Sequence, residues 1–347
     1  MSEEIKKVKS WKIFLPVLIG LVVIAYMFYK EFNPSAFEKI DFTWLSVFWL
    51  IMAAFCIIGR DLGYIVRIRA LSENRLNWRQ AFRVIMLWEF TSAITPSSIG
   101  GTSVALMYIH KEGISIGKSS AMVMMTSLLD EIYFVIMFPL IALFIGYPTL
   151  FDIDKSPGWT SGIFWLASIG YMVKFVWVIA LAYGMFVNPK GLGRMIFTLF
   201  KLPFLKRWKR NAIKALREIE LSSTELKSKK KSFWLTAFMT TFVSWTSRYW
   251  IVNCLFLAFF TVHDHFLIFA RQLVMWIAML ISPTPGGSGI AEIMFSKYLG
   301  EFIPFAGFAV ALALLWRLVT YYPYLIIGAF MVPKWINDKF VSKKKQK

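Results

Sequence analysis

The chain has 347 residues, 58% of them hydrophobic and 17% charged, with a mean hydropathy of +0.59. A soluble domain of this size cannot hide so much apolar surface, which excludes that class. The formal net charge of +19 lies in the gaps between apolar runs, with no interleaved basic and aromatic platform, which excludes a nucleic-acid face and points to membrane orientation.

In chain order, apolar runs long enough to cross a bilayer lie at 11–30, 43–66, 118–147, 160–187, 233–260 and 305–331. The first follows Lys6, Lys7 and Lys9 but is too long for a signal-peptide core and has no small-residue cleavage site, so it reads as a span. Two more stretches, 80–112 and 266–300, are each broken near the middle. The first break is Thr95-Pro96-Ser97-Ser98-Ile99-Gly100-Gly101, the second Pro283-Thr284-Pro285-Gly286-Gly287-Ser288-Gly289. Proline and glycine at that density end a helix, so each stretch predicts a pair of half-helices that dip into the membrane and return.

Most of the 39 Lys and Arg fall in the N-tail, 67–83, Lys111, Lys118, the loop 188–232 and the C-tail. Glu31, Glu38, Asp41, Asp152, Asp154, Asp264 and Glu301 take the other face. The positive-inside rule then places both termini in the cytoplasm. The two broken hairpins enter from opposite sides, which gives inverted repeats over about 11–147 and 160–331, the pattern of transporters with a midplane site. The loop 188–232, with Lys206-Arg207-Trp208-Lys209-Arg210, reads as a basic amphipathic helix on an anionic leaflet or a docking site for a soluble partner. The Lys343-Lys344-Lys345 tail reads as further anchoring.

Charged residues inside the spans are Arg60, Asp61, Glu89, Asp130, Glu131, Lys174, Arg248, Arg271, Glu292 and Arg317. Each costs roughly 2.5–3.5 kcal/mol at a helix centre unless it faces a partner or water. The signs balance, so structural pairing accounts for about half of them, and Arg60 and Arg271 read as snorkelling. Arg248 and Arg317 sit mid-span and suit a phosphate, with their planar guanidinium forks. Glu292 reads as a cationic head-group contact, a gate or a cap; with Asp130 and Glu131 it reads as a charge that neutralises the empty site or holds a basic head group. Gly100, Gly101, Gly286, Gly287 and Gly289 precede returning half-helices, whose free N–H groups make anion sites, or they only permit the reversal. Cys56 and Cys254 read as small hydrophobes. His263-Asp264-His265 lacks further metal ligands nearby, and no nucleotide-binding or zinc-protease motif is present. No cofactor, metal or catalytic group is therefore expected.

Thr95-Pro96 with Gly100-Gly101, Ser127-Leu128-Leu129-Asp130, the run Pro283 to Glu292, and Arg317-Leu318-Val319-Thr320-Tyr321 together resemble the lysylphosphatidylglycerol synthase transmembrane (flippase-like) family, the membrane half of the multiple peptide resistance factor. The resemblance spans about residues 10–332. It implies a domain that flips aminoacylated phosphatidylglycerol between leaflets, while a separate cytosolic domain makes that lipid. Only a short basic tail stands where the synthase would follow, so translocation without synthesis is implied. Stand-alone relatives are linked to other lipids, including polyprenyl-linked sugars. Ser127 stands where the family often has arginine.

The expectation is an all-α integral membrane protein of the plasma (inner) membrane, with about six spans plus two re-entrant hairpins, that translocates an anionic, aminoacylated or other phosphate-linked lipid. Its partners are that lipid and the membrane, with a homo-oligomer or separate synthase as protein partner. The rival readings are an integral membrane lipid-head-group transferase and an adaptor for a synthase.

Overall fold

The computed structural model describes residues 42–95, 100–151, 157–191, 220–221, 224–279, 284, 286–304 and 307–341. The first predicted span (11–30), Pro96 to Ile99, Pro283, Pro285, the centre of the 188–232 loop with Lys206 to Arg210, and the Lys343-Lys344-Lys345 tail lie outside the described residues. Among the described residues the structure is helical, with no strand.

The helices are α1 (Trp44–Leu71), α2 (Trp78–Ile94), α3 (Gly100–Lys111), α4 (Ile116–Ile145), the short α5 (Tyr147–Phe151), α6 (Pro157–Ala182), α7 (Lys231–Leu257), α8 (His265–Met279), α9 (Ile290–Leu299), α10 (Phe308–Thr320) and α11 (Tyr322–Ile336). Among the described residues, four stretches are long and apolar enough to cross a membrane: Trp44–Leu71, Ile116–Ile145, Phe164–Val187 and Phe308–Lys339. Helix α7, at 27 residues, has the length but is interrupted by threonines and serines and is not one of the four. Its predicted apolar run, 233–260, is therefore a long helix of mixed polarity. The last run is broken at Tyr321, where φ is −124° and ψ −55°, followed by Pro323 in the first turn of α11. Proline is well placed there because a helix's first N–H groups have no internal partner.

Helices α1 and α7 lie side by side. Gly59 and Gly63, four residues apart on one face of α1, meet Ser247 and Ser244 of α7, and the Ser244 hydroxyl donates to the Arg60 carbonyl at 2.9 Å. Small residues at this spacing let two backbones approach where lipid offers no hydrophobic drive for association. Around this pair stand two helical hairpins, α2–α3 and α8–α9. One large apolar cluster packs about the first, including Leu87, Ile109 and Met125; another packs about the second, including Phe256, Val274 and Phe295. Large apolar side chains such as Phe55, Leu143, Phe144, Val176 and Phe330 are left exposed on the outside, the inverse of a soluble protein and suited to lipid contact.

The hairpin tips meet. The Gly286 N–H donates to the Thr95 carbonyl at 3.2 Å, and the Tyr321 hydroxyl donates to the Ala93 carbonyl at 3.0 Å. Gly286 (φ +59°), Gly287 (+69°) and Gly289 (+88°) are all left-handed, a conformation glycine takes without a Cβ clash. A Cβ on Gly286 would also lie 2.8 Å from the Ala93 carbonyl oxygen, so the second tip reaches the first only as glycine.

At one end of the bundle Lys118 and Lys229 hold Glu73, with Glu225 beside them, tying the α1–α2 turn to the starts of α4 and α7. The Lys118 hydrogen bond, with Lys229 beside it, holds the Glu73 carboxyl well below its ordinary value, at about 2. A carboxyl whose folded value is depressed stabilises the fold above its unfolded value, and that contribution fades as pH falls through the folded one. Unfolding in detergent should therefore show native protein losing stability between pH 4.5 and about 2 by more than Glu73→Gln does. At the helix pair, Gly63→Ala sets a methyl against Ser244 and 2.8 Å from the Thr240 carbonyl. It should cost about 1–3 kcal/mol as overpacking and lower the thermal midpoint, whereas Gly162→Ala, which meets nothing within 4 Å, should not.

Candidate functional site

Between the hairpins, α1 and α7 lies a cavity of about 320 Å³, at the lower end of the range for small-ligand sites. Its wall draws on both hairpin tips (Ser92, Ala93, Gly286, Gly287) and on α1, α4, α7, α8, α10 and α11. Its chemistry is mixed: tryptophans 88, 245, 276 and 316, tyrosines 64, 249, 321 and 324, and the charged residues Arg67, Glu89, Asp130, Arg248 and Arg317.

Nearly every charge here has a contact partner from another helix. Arg67, 4% exposed, pairs with Asp130, whose Oδ1 also accepts from the Trp245 indole N–H at 2.7 Å. Asp130, with Ser127 one turn before it, is thus held by an arginine from α1. Arg60, 1% exposed, pairs with Glu89 and donates to the Tyr324 hydroxyl at 2.9 Å. Tyr324 in turn donates to Asp61, 2.9 Å from both carboxylate oxygens. Arg317 Nε binds Glu292 Oε1 at 2.7 Å, and Nη2 donates to the Gly286 carbonyl at 3.1 Å. Such pairing is what a low-dielectric interior demands of buried ions.

Arg248 differs. Among the described residues it makes no ion pair, and its guanidinium lies 5.3 Å from the Trp245 ring centroid. Glu89, on the same cavity wall, is held by Arg60 and not by Arg248. An intramembrane cation facing a cavity with no contact anion is a binding group left open.

Of the sequence-nominated residues, Arg248, Arg317, Asp130, Gly286 and Gly287 line the cavity; Glu292, Glu131, Gly289 and Gly101 are not among its described lining residues, and Gly100 begins α3. Glu292, 1% exposed, caps its own helix by accepting the Gly289 N–H at 2.6 Å and pairs with Arg317. The start of α9 therefore already carries an anion, supplied by the chain. Glu131 pairs with Lys174, whose Nζ sits 4.2 Å from the Trp276 ring centroid. Gly101 packs against Ser92 within the first hairpin. The snorkelling expectation fails for Arg60 and Arg271: both are buried, Arg271 paired with Glu301 and donating to the Tyr298 and Thr149 carbonyls. Both side chains turn inward because buried partners are within reach. His265 is used by Asn253, with Nδ1 and Oδ1 3.1 Å apart, and the described residues hold no group of three metal-binding side chains.

Sequence reasoning missed the aromatic wall and the role of Arg67. Trp245 and Tyr249 are four apart on α7, and Gln272 and Trp276 four apart on α8, a spacing that marks one helix face. The sequence does not say whether such a face meets a core or a cavity.

Exposed apolar helices around a charged, aromatic-walled cavity define a polytopic integral membrane protein with an internal polar site. The family model described as "Lysylphosphatidylglycerol synthase TM region" matches residues 13–328, and the chain belongs to that family. A "UPF0104 membrane protein" from Archaeoglobus fulgidus is 25% identical over 342 residues, covering 94% of this chain and 98% of that relative. No solved structure matches.

Arg248 and Glu292 should separate in stability. Glu292→Gln leaves Arg317 buried without its anion and should cost about 3 kcal/mol or more. Arg248→Gln removes no contact pair and should stay within about 1 kcal/mol of the native protein. Thermal unfolding of the detergent-solubilised variants measures both; equal losses would contradict the pairing scheme.

Proposed function

We propose that this protein translocates a phosphate-linked anionic lipid between leaflets, with the head group passing through the cavity at the hairpin tips and the acyl chains remaining in the bilayer. The observation that carries this reading is Arg248, a guanidinium facing the cavity with no ion pair among the described residues. A phosphodiester gives such a fork two oxygens in the plane it needs. Arg317, nominated alongside it, is committed to Glu292 and Gly286, and serves to hold the second tip beside the site.

The architecture supports the reading. Two hairpins whose glycine-rich tips meet, flanked by the α1–α7 pair and the discontinuous α10–α11, match the arrangement of transporters built from inverted repeats with broken helices at a central site. In this reading the hairpins are re-entrant, and about six spans complete the bundle. The basic loop and tail lie on the cytoplasmic side of the plasma membrane, as the positive-inside rule requires. Family membership supports a lipid as the substrate class. In this reading the protein acts as a transporter and not an enzyme: the carboxylates of Glu89 and Asp130 on the cavity wall are tied to arginines.

Reconstitution in liposomes with fluorescent phosphatidylglycerol and its lysyl form tests this. Native protein should bring label from the inner leaflet within reach of an external quencher. Arg248→Gln should slow that exchange about tenfold or more, the worth of one charge-assisted contact. Folded native protein that moves neither lipid contradicts the proposal.

A further inference from the structure

Asp61 lies behind Tyr324 of the cavity wall, and its ion pair is the longer of the two that Arg60 makes. Arg60 is the guanidinium nearest to two carboxylates. It makes its hydrogen-bonded ion pair with Glu89, while its Nε stands 3.8 Å from Asp61 Oδ1 and has no hydrogen-bond partner. Asp61 is otherwise held by a neutral group, the Tyr324 hydroxyl, which also accepts from Arg60 Nη1. The chain Glu89–Arg60–Tyr324–Asp61 thus joins α2, α1 and α11, and it sits just past the break at Tyr321. Broken helices are where coupling ions are held in transporters of this general design.

The second guanidinium that this acid pair faces is Arg248 of α7, which lines the same cavity as Glu89. Arg67, on that wall too, is taken by Asp130. Tyr64 of α1, its ring centroid 5.6 Å from the Arg60 guanidinium, is a further titratable group facing the cluster. In the empty site two carboxylates therefore face two guanidinium groups, one in contact and one at a distance. An anion on Arg248 cancels the distant charge and leaves two half-buried carboxylates on one arginine. Low-dielectric surroundings do not tolerate an uncompensated second anion.

We propose that Asp61 is a proton-coupling site: a monoanionic head group binding at Arg248 brings one proton from water onto the Asp61 carboxylate, so that lipid and proton load together. The step forms one O–H bond on Asp61 and makes the combined event neutral in charge. Glu89 keeps its contact with Arg60, and the protonated Asp61 remains hydrogen-bonded to Tyr324. By linkage, the lipid favours the proton and the proton favours the lipid by the same factor. A transmembrane proton gradient then drives the lipid toward the side to which protons flow. The inference rests on the anion site proposed above, yet the proton site has a signature that needs no lipid.

Two measurements on the full-length protein in detergent test it. In infrared spectra, Arg248→Gln should show a carboxylic-acid carbonyl band absent from native protein at the same neutral pH. That band should shift on 13C labelling of the aspartates and not of the glutamates, and it should vanish in the Arg248→Gln/Asp61→Asn double variant and equally with Glu89→Gln in place of Asp61→Asn, because Arg60 then faces a single carboxylate. Phosphatidylglycerol keeps a single charge across the neutral range, and its binding by native mass spectrometry should tighten about tenfold per pH unit of acidification on the alkaline limb. Asp61→Asn should flatten that slope. No carbonyl band in folded Arg248→Gln overturns the proposal, as does native binding without a slope or a slope that survives Asp61→Asn. The Asp61-dependent band together with no lipid binding keeps the proton site and overturns the translocase reading instead.

Discussion

A charge inside a hydrocarbon slab has to be matched, and the structure is organised by how its buried arginines are matched. Arg60, Arg67 and Arg317 each reach a carboxylate on a different helix or hairpin element. Each pair therefore acts as a cross-brace as well as a neutralisation. Arg67 ties α1 to α4, Arg60 ties α1 to α2, and Arg317 ties α10 to the start of α9. Breaking one such pair strands the surviving ion, which is far more costly than never having placed the pair. Once those braces are set, Arg248 is the guanidinium on the cavity wall that remains without a contact anion among the described residues, and the proposed function rests on that exception.

The backbone follows the same logic. Chain reversals leave peptide groups that need partners. Here the two tips supply them to each other, through Gly286 and Thr95 and through Tyr321 and Ala93. The second tip's helix start, which would attract an external anion, is occupied by Glu292 and held there by Arg317. The hairpin is thus electrically closed at its own N-terminus. In the proposed function, an incoming anion therefore meets the Arg248 side chain on α7 and not the helix dipole.

Much of this was legible in the sequence. Proline and glycine clusters flanked by short apolar stretches marked where both helix pairs, α2–α3 and α8–α9, are interrupted, because such residues end a helix. The lipid-exposed helices followed from length and hydropathy. What the sequence could not show was pairing across long separations: Arg60 finds Tyr324, and Arg67 finds Thr241, partners set only by three-dimensional packing. Arg67 looked like a positive-inside residue at a helix end, whereas it is buried on the cavity wall. Arg248 and Arg317 were indistinguishable as mid-span arginines, and only Glu292 separates them. The break at Tyr321 was hidden because Tyr-Tyr-Pro lies within a run that is apolar on both sides.

The most direct test of the central claim, that a lipid head group sits on Arg248 inside this cavity, is cross-linking with phosphatidylglycerol carrying a photoactivatable group on its glycerol head. The account predicts adducts on cavity residues such as Trp245, Tyr249 and Met275, strongly reduced in Arg248→Gln. Adducts confined to the exposed apolar belt around Phe55, Leu143 and Phe144, and unchanged in that variant, would contradict it.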